Sequence, residues 1–262
     1  VCEKCTGTLK ETWCIMKNCE SNISKSVGYG LRNMYARLTS AFTDHVDAFI
    51  VQSEFQKQKF NQLGLSNEKL LIVPGLTPPL LASSEETLGN KVTFVGRASP
   101  EKGIYEFIEA ARQLPEIPFS VAGRIDTKCA DIKERSRSNI EWTGFISGIE
   151  LDKLYINSRI IVIPSKWYEG FPNVITRAMT HGKPVITSNL GVMSSIIDHQ
   201  KNGLLTEAGN VDQLITTIDH LYNDKMTCTS MSREGKKKAK ALYSDEVIYT
   251  RLIDTYKSAL SQ

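Results

Sequence analysis

The sequence predicts an α/β chain whose main body is a doubly wound parallel sheet with helices on both faces, and three observations predict it. Five short apolar runs, Val92–Val95, Phe119–Ala122, Ile140–Thr143, Ile160–Ile163 and Val185–Thr187, are separated by helical stretches, the order that builds parallel sheets. The runs are apolar on both faces, as strands covered from two sides must be. Hydrophobic residues make up 41% of the 262 positions, enough to bury a core and to exclude disorder and fibrous structure.

The elements follow in order. From Ser26 to Asp47, Val27, Leu31, Met34, Tyr35, Leu38, Ala41 and Phe42 recur three and four apart, which reads as one amphipathic helix. Ala48–Val51 is a short strand. Ser53 caps a helix through Leu63, with Glu54 in its first turn and Gly64 stopping it. Leu70–Val73 is another strand. Residues 74–90 hold three prolines, two glycines and Ser83-Ser84 without apolar periodicity, the composition of a linker. The expected organisation is therefore a first unit over 1–75, a linker over 76–90, a sheet domain over 91–240 and a closing helix over 241–262 that packs back on the first unit. From Val211 the chain reads as helices, interrupted at Thr227–Ser230 and ending with Asp245–Leu260.

Charge narrows the partners. With 32 Lys+Arg against 29 Asp+Glu the net charge is +3, too small to predict a nucleic-acid partner. Runs such as Leu70–Val73 fall far short of the roughly 20 residues a membrane span needs. Arg233, Lys236, Lys237, Lys238 and Lys240 read as a solvated helix face, with weak peripheral contact to anionic headgroups as the membrane alternative. Cys2, Cys5, Cys14 and Cys19 are zinc candidates through the two-residue gap of the first pair. The second pair has a four-residue gap, so disulfides and ordinary reduced thiols stay open, the last favoured. Cys129 and Cys228 read as packed or surface thiols. His45, His181, His199 and His220 show no metal-binding spacing, and His181 reads as a cap or surface residue.

Two segments carry chemistry. Gly96-Arg97-Ala98-Ser99-Pro100-Glu101-Lys102-Gly103 follows the first strand of the sheet domain, where exposed N–H groups attract phosphate and Arg97 and Lys102 add charge. Pro164–Asn173 lies between a buried strand and the helix Val174–Thr180 and brings Glu169 beside Gly170 at a helix start. Ligands of such sheets bind beyond the carboxyl ends of the strands. The bland alternatives are a polar turn for the first segment, and a capping Glu169 with at least one of Trp167, Tyr168 and Phe171 in the core for the second.

Taken with Gly144, Gly182-Lys183-Pro184-Val185-Ile186 and Asn202-Gly203-Leu204-Leu205, these motifs resemble the nucleotide-sugar-binding half of family-four retaining glycosyltransferases. The resemblance covers essentially the whole chain, because Val51–Phe55 with Gly64-Leu65 is similar to the end of that family's first domain. It implies a GT-B fold and transfer of a sugar from a nucleotide diphosphate sugar to a hydroxyl acceptor, a saccharide or lipid-linked saccharide, with retention at the anomeric carbon. It further implies a role in polysaccharide or glycoconjugate synthesis, a cytoplasmic location and no metal or other cofactor. By the same resemblance Arg97 and Lys102 bind the donor diphosphate and Glu169 the sugar hydroxyls, with Gly96, Gly144, Gly170, Phe171, Pro172 and Asn173 lining the donor. Electrostatic stabilisation of the leaving diphosphate is then the main contribution of the protein.

Two departures qualify it. Arg177 stands on the donor side where the family has a second glutamate that binds the ribose, and a cation cannot accept hydroxyl protons. Ser195 replaces another glutamate. Both favour a non-catalytic sugar-nucleotide-binding or partner-binding homologue as the alternative; Arg97, Lys102 and Glu169 oppose it. An epimerase on the same fold fits the Trp167–Pro172 segment less well. Because position 1 is Val, the expectation is a partial chain that holds a donor without completing the acceptor cleft.

Overall fold

The computed structural model describes residues 3–4, 10–40, 43–77, 79–82 and 88–260. Its centre is a six-stranded, wholly parallel sheet of β3 (Lys91–Val95), β4 (Phe119–Ala122), β5 (Ile140–Gly144), β6 (Ser158–Ile163), β7 (Val185–Ser188) and β8 (Gly203–Thr206), in the order β5-β4-β3-β6-β7-β8. A separate parallel pair, β1 (Phe49–Val51) and β2 (Leu70–Ile72), flanks it, connected by α3 (Glu54–Gln62).

Successive residues of each inner strand bury on opposite faces, which explains the unbroken apolar runs. On one face Ile160, Val162, Phe94 and Ile186 pack with residues of α4 (Ile104–Gln113) and α8 (Val211–Asn223). On the other, Ile161, Ile163 and Val185 pack with Tyr155 of α5 (Gly148–Asn157), Ile175 and Met179 of α6 (Asn173–Thr180), Met193 and Ile196 of α7 (Met193–Ile196), and Ala239 and Tyr243 of α9 (Lys225–Tyr243). The closing helix α10 (Asp245–Leu260) has the bounds the sequence suggests and lies against α9.

Three local expectations are corrected. The helix anticipated over Ser26–Asp47 is α2 (Ile23–Leu38), because Asn22 caps it by accepting from the Lys25 amide at 3.0 Å; Ala41 and Phe42 lie outside the described residues. Its buried face is Ser26, Gly30 and Ala36, while Tyr35 and Leu38 are 66% and 68% exposed. The small face admits α1 (Thr12–Met16), whose Ile15 side chain would lie 2.9 Å from a Cβ at position 30. The break expected at Thr227–Ser230 falls instead at Asp224, whose carboxylate accepts from the Thr227 amide and starts α9. Gly203–Thr206, read only as a motif, is the edge strand β8.

The Ser53 cap holds, its hydroxyl accepting from the Gln56 amide at 3.2 Å, and Gly64 follows α3 at φ +100°. Between β2 and β3 the described residues form no helix or strand. Cys2 and Cys5 lie outside the described residues; Cys14 is partly buried on α1, Cys19 is exposed, and Cys129 and Cys228 are both buried. Among the described residues no His, Cys, Asp or Glu group could hold a metal ion, and no helix is long and apolar enough to cross a membrane.

The Phe107 ring lies between Phe94 and Phe119, at centroid distances of 5.5 and 5.3 Å, fully buried. Phe107→Ala should lower stability by about 3–5 kcal/mol through lost burial and a residual cavity, measured as a shift in the urea midpoint at unchanged slope.

Candidate functional site

The two segments singled out from sequence meet at the carboxyl ends of β3 and β6, neighbouring strands on which the direction of chain winding reverses. After β3 a single 3-10 turn, Pro100–Lys102, leads to Gly103, which starts α4 at φ +78°. A Cβ there would lie 2.0 Å from the Pro164 carbonyl oxygen, so only glycine allows the β3 turn to rest on the end of β6. The Lys166 amide donates to the Glu101 carbonyl at 2.8 Å and fastens the two segments.

This seam fixes the central pair. Lys102 Nζ lies 2.7 and 2.6 Å from the two carboxylate oxygens of Glu169. Oε1 of Glu169 also accepts from Ser165 Oγ at 2.8 Å and Trp167 Nε1 at 3.1 Å. Glu169 does not cap α6, which has no side-chain cap, so the capping alternative does not describe it. Trp167 is 40% exposed, with its ring below the Lys102 ammonium at 5.7 Å. Phe171 is the aromatic that packs inward, against the core and edge-on to Tyr243 at 5.8 Å. Pro172 and Asn173 begin α6, and Gly75, just before the linker, approaches so closely that a Cβ would meet Phe171 at 2.5 Å.

Arg97 is half exposed and reaches Glu101 at 2.6 Å and Asp126 at 3.3 Å. Gly96 and Gly144 adopt positive φ after β3 and at the end of β5, and a Cβ at either would meet nothing within 4 Å. On the opposite side, a cleft of about 510 Å³ separates the 168–170 loop from α3. Gln56 Nε2 bridges it to the Gly170 carbonyl at 3.1 Å, and Phe55 contacts Tyr168 at a centroid distance of 4.7 Å.

Arg177 departs most from expectation. Its side chain is only 10% exposed and turns inward, away from the cleft: Nη2 and Nε donate to Oδ1 of Asp152 at 2.6 and 3.2 Å. Fully buried Asp152 also accepts from His181 Nε2 at 2.8 Å and, through Oδ2, from the amides of Leu81 and Ala82 at 2.7 and 3.2 Å. His181 follows α6 at its C-cap position but is 2% exposed rather than at the surface. Since a carboxylate only accepts, Nε2 carries the proton, and Nδ1 is left buried without a hydrogen-bond partner among the described residues. Sequence reasoning missed Asp152 because a lone aspartate within Leu151-Asp152-Lys153 looks like any solvated helix position. The four-residue spacing of Arg177 and His181 was the available signal that both face one group.

The profile of the family described as "Glycosyl transferases group 1" matches residues 82–238. The chain belongs to that family. A relative in Methanocaldococcus jannaschii, an uncharacterized glycosyltransferase, is 30% identical over 64% of this chain and 45% of its own length. CapM, a capsular polysaccharide biosynthesis glycosyltransferase of Staphylococcus aureus, is 25% identical over 65% of this chain and 47% of its own. The chain thus spans about half the length of these curated relatives. Among solved structures, Anabaena HepE with UDP and glucose matches with TM-score 0.73 and 21% identity over 81% of this chain and 63% of that one. Sucrose-phosphate synthase of Thermosynechococcus elongatus matches with TM-score 0.76 and 21% identity over 87% and 62%. The fold is α/β of the GT-B type, with a parallel sheet covered by helices on both faces.

The Asp152 cluster makes the chain acid-sensitive. Burial opposes ionisation of Asp152, but the Arg177, Leu81 and His181 hydrogen bonds outweigh it and bring its pKa from 3.8 to about 2. Burial lowers His181 from 6.5, outweighing the Asp152 hydrogen bond and charge, with Arg177 and Lys183 adding repulsion. Both folded-state values are depressed, so both contributions are present at neutral pH and lost on acidification, His181 below about pH 6.5 and Asp152 between about pH 4 and 2. Urea midpoints against pH should show an Asp152 component of about 2 kcal/mol below pH 4. Asp152→Asn should lose about 3–5 kcal/mol at pH 7 by stranding Arg177, and should flatten that acid limb.

Proposed function

We propose that this chain binds a nucleotide diphosphate sugar at the Lys102–Glu169 seam and belongs to a retaining glycosyltransferase that passes the sugar to a hydroxyl acceptor in polysaccharide or glycoconjugate synthesis. The observation that carries the reading is the convergence of an ammonium and a carboxylate where the β3 and β6 ends adjoin. HepE, which has a similar fold, is known in complex with UDP and glucose, ligands of that kind.

In this reading residues 91–240 form the donor domain, 1–75 belong to the acceptor side, 76–90 link them and 241–262 return toward the first unit. Arg97 and Lys102 face the diphosphate, and Gly96, Gly144 and Gly170 allow close approach. Glu169 accepts from hydroxyls of the transferred sugar, and the backbone of Phe171, Pro172 and Asn173 lines it. As the bond from the anomeric carbon to the diphosphate oxygen breaks, charge grows on the leaving group beside Lys102 and Arg97, and the acceptor oxygen attacks from the same face. With its guanidinium on Asp152, Arg177 contributes to the site through the position of α6.

Thermal unfolding with UDP, GDP, ADP and dTDP, and with their glucose or mannose conjugates, tests the donor site. At least one should raise the midpoint, by about 2.7 kcal/mol of stabilisation at a hundredfold excess over Kd. Lys102→Gln should weaken that ligand roughly tenfold or more through a lost charge-assisted contact. No shift with any of them would overturn the reading.

A further inference from the structure

Away from the seam, a cavity of about 440 Å³ lies between linker residues Thr77, Pro79 and Leu80 and the junction of α9 with α10. Its side chains include Lys236 and Lys240, one helical turn apart, with Thr77, Thr180, Tyr243 and Asp245. Neither lysine has an ion-pair partner among the described residues, unlike neighbouring Lys238, which pairs with Asp198 at 2.9 Å. The Lys236 stem is held rather than loose: a Cβ at Gly182 would lie 2.4 Å from its Cε and 3.2 Å from its Nζ.

Nearby Lys183 is 2% exposed and donates to the Ile156 carbonyl at 2.7 Å. Burial, and then the charge of Lys236, push its pKa down to about 8. Lys236 and Lys183 are thus close enough to repel, and Asp245 is the carboxylate among the lining residues. Tyr243 is 9% exposed, and its hydroxyl makes no hydrogen bond among the described residues. Burial raises its pKa to about 12, so it stays a neutral O–H donor. The Thr77 and Thr180 hydroxyls already donate, to Thr176 Oγ1 and the Thr176 carbonyl, which leaves two ammonium groups and one phenol as donors.

We propose that this cavity is a second ligand site, which binds a phosphate group through Lys236, Lys240 and Tyr243 of α9, against the linker residues that line it. A phosphate offsets the repulsion between Lys236 and Lys183 and can accept from the two ammonium groups and the phenol. The volume admits either orthophosphate or the head of a small phosphate monoester. The proposal is independent of the sugar-transfer reading, since it uses none of the seam residues.

Hydrogen–deuterium exchange on the 262-residue chain tests it, with sodium phosphate, glycerol 3-phosphate and sodium chloride at matched ionic strength. Phosphate should slow exchange in peptides spanning 79–82 and 243–248, and chloride should not. Stronger protection by glycerol 3-phosphate assigns the site to an ester, and equal or stronger protection by phosphate assigns it to orthophosphate. Lys236→Gln/Lys240→Gln should weaken the apparent affinity about tenfold, whereas Lys102→Gln, which alters the seam, should leave it unchanged. If the double variant does not fold, Lys240→Gln alone, at an exposed position, makes the same comparison. Protection by neither phosphate nor the ester, equal protection by chloride, or an unchanged affinity in the folded variant would overturn the proposal.

Discussion

The pairing of β3 with β6 is the constraint on which the rest of the site depends. From β3 the chain winds outward through β4 and β5, then returns across the sheet to β6 and continues in the other direction. The connections leaving β3 and β6 therefore diverge above neighbouring strands and open a crevice between them. Two features keep that crevice narrow at its base. Gly103 has no side chain to push away the Pro164 carbonyl, and the Lys166 amide is satisfied by Glu101 of the facing turn. Lys102 and Glu169, 67 residues apart in sequence, meet because both are carried on this seam. Lys166 reinforces it with an ion pair to Glu106 of α4 at 2.6 Å.

A second constraint lies behind the first. Asp152 of α5 collects the linker amides of Leu81 and Ala82, the guanidinium of Arg177 and the imidazole of His181, so that linker, α5 and α6 converge on one carboxylate. A buried ion pair of this kind is weak evidence of net stabilisation, but loss of either partner strands a charge in a poor solvent. It also explains why position 177 is not interchangeable with glutamate here. A carboxylate at 177 would face Asp152 in a buried space and lose the guanidinium donors, so one would be forced to take a proton. The departure from the glutamate expected at this position is therefore coupled to residue 152 and cannot be judged from the 169–177 segment alone.

The sheet was legible because its strands are buried on both faces and carry unbroken apolar runs such as Ile160–Ile163. The Gly103 and Glu169 segments stood out because glycine and charge beside a strand end have few structural uses. What stayed hidden depends on contacts between distant residues. The apolar stripe of α2 looked like a core face, but Ser26 and Gly30 lie on the buried side: Ile15 needs the space beside Gly30, and the Ser26 hydroxyl donates to Asn18 and accepts from the Glu20 amide. Asp152 carried no local mark, and the placement of Arg177 followed from it. Nothing in Gly203–Thr206 distinguishes an edge strand from a loop except the ladder it forms with β7.

The cations of the molecule are held in two different ways, and this bears on which ligands the seam can prefer. Lys102 rests on Glu169, and Arg97 on Glu101 and Asp126, so an incoming anion replaces existing partners instead of meeting free charges. A ligand with only a diphosphate takes Lys102 from Glu169 and leaves that carboxylate, 10% exposed, with only the Ser165 and Trp167 donors. A ligand that also brings hydroxyl groups within reach of Glu169 restores donors to it as Lys102 is drawn away. Because an under-satisfied buried carboxylate costs more than a typical hydrogen bond contributes, such a pair favours a ligand that carries both groups over one that carries either. At the linker cavity Lys236 and Lys240 have no ion-pair partner among the described residues, so an anion there would displace none.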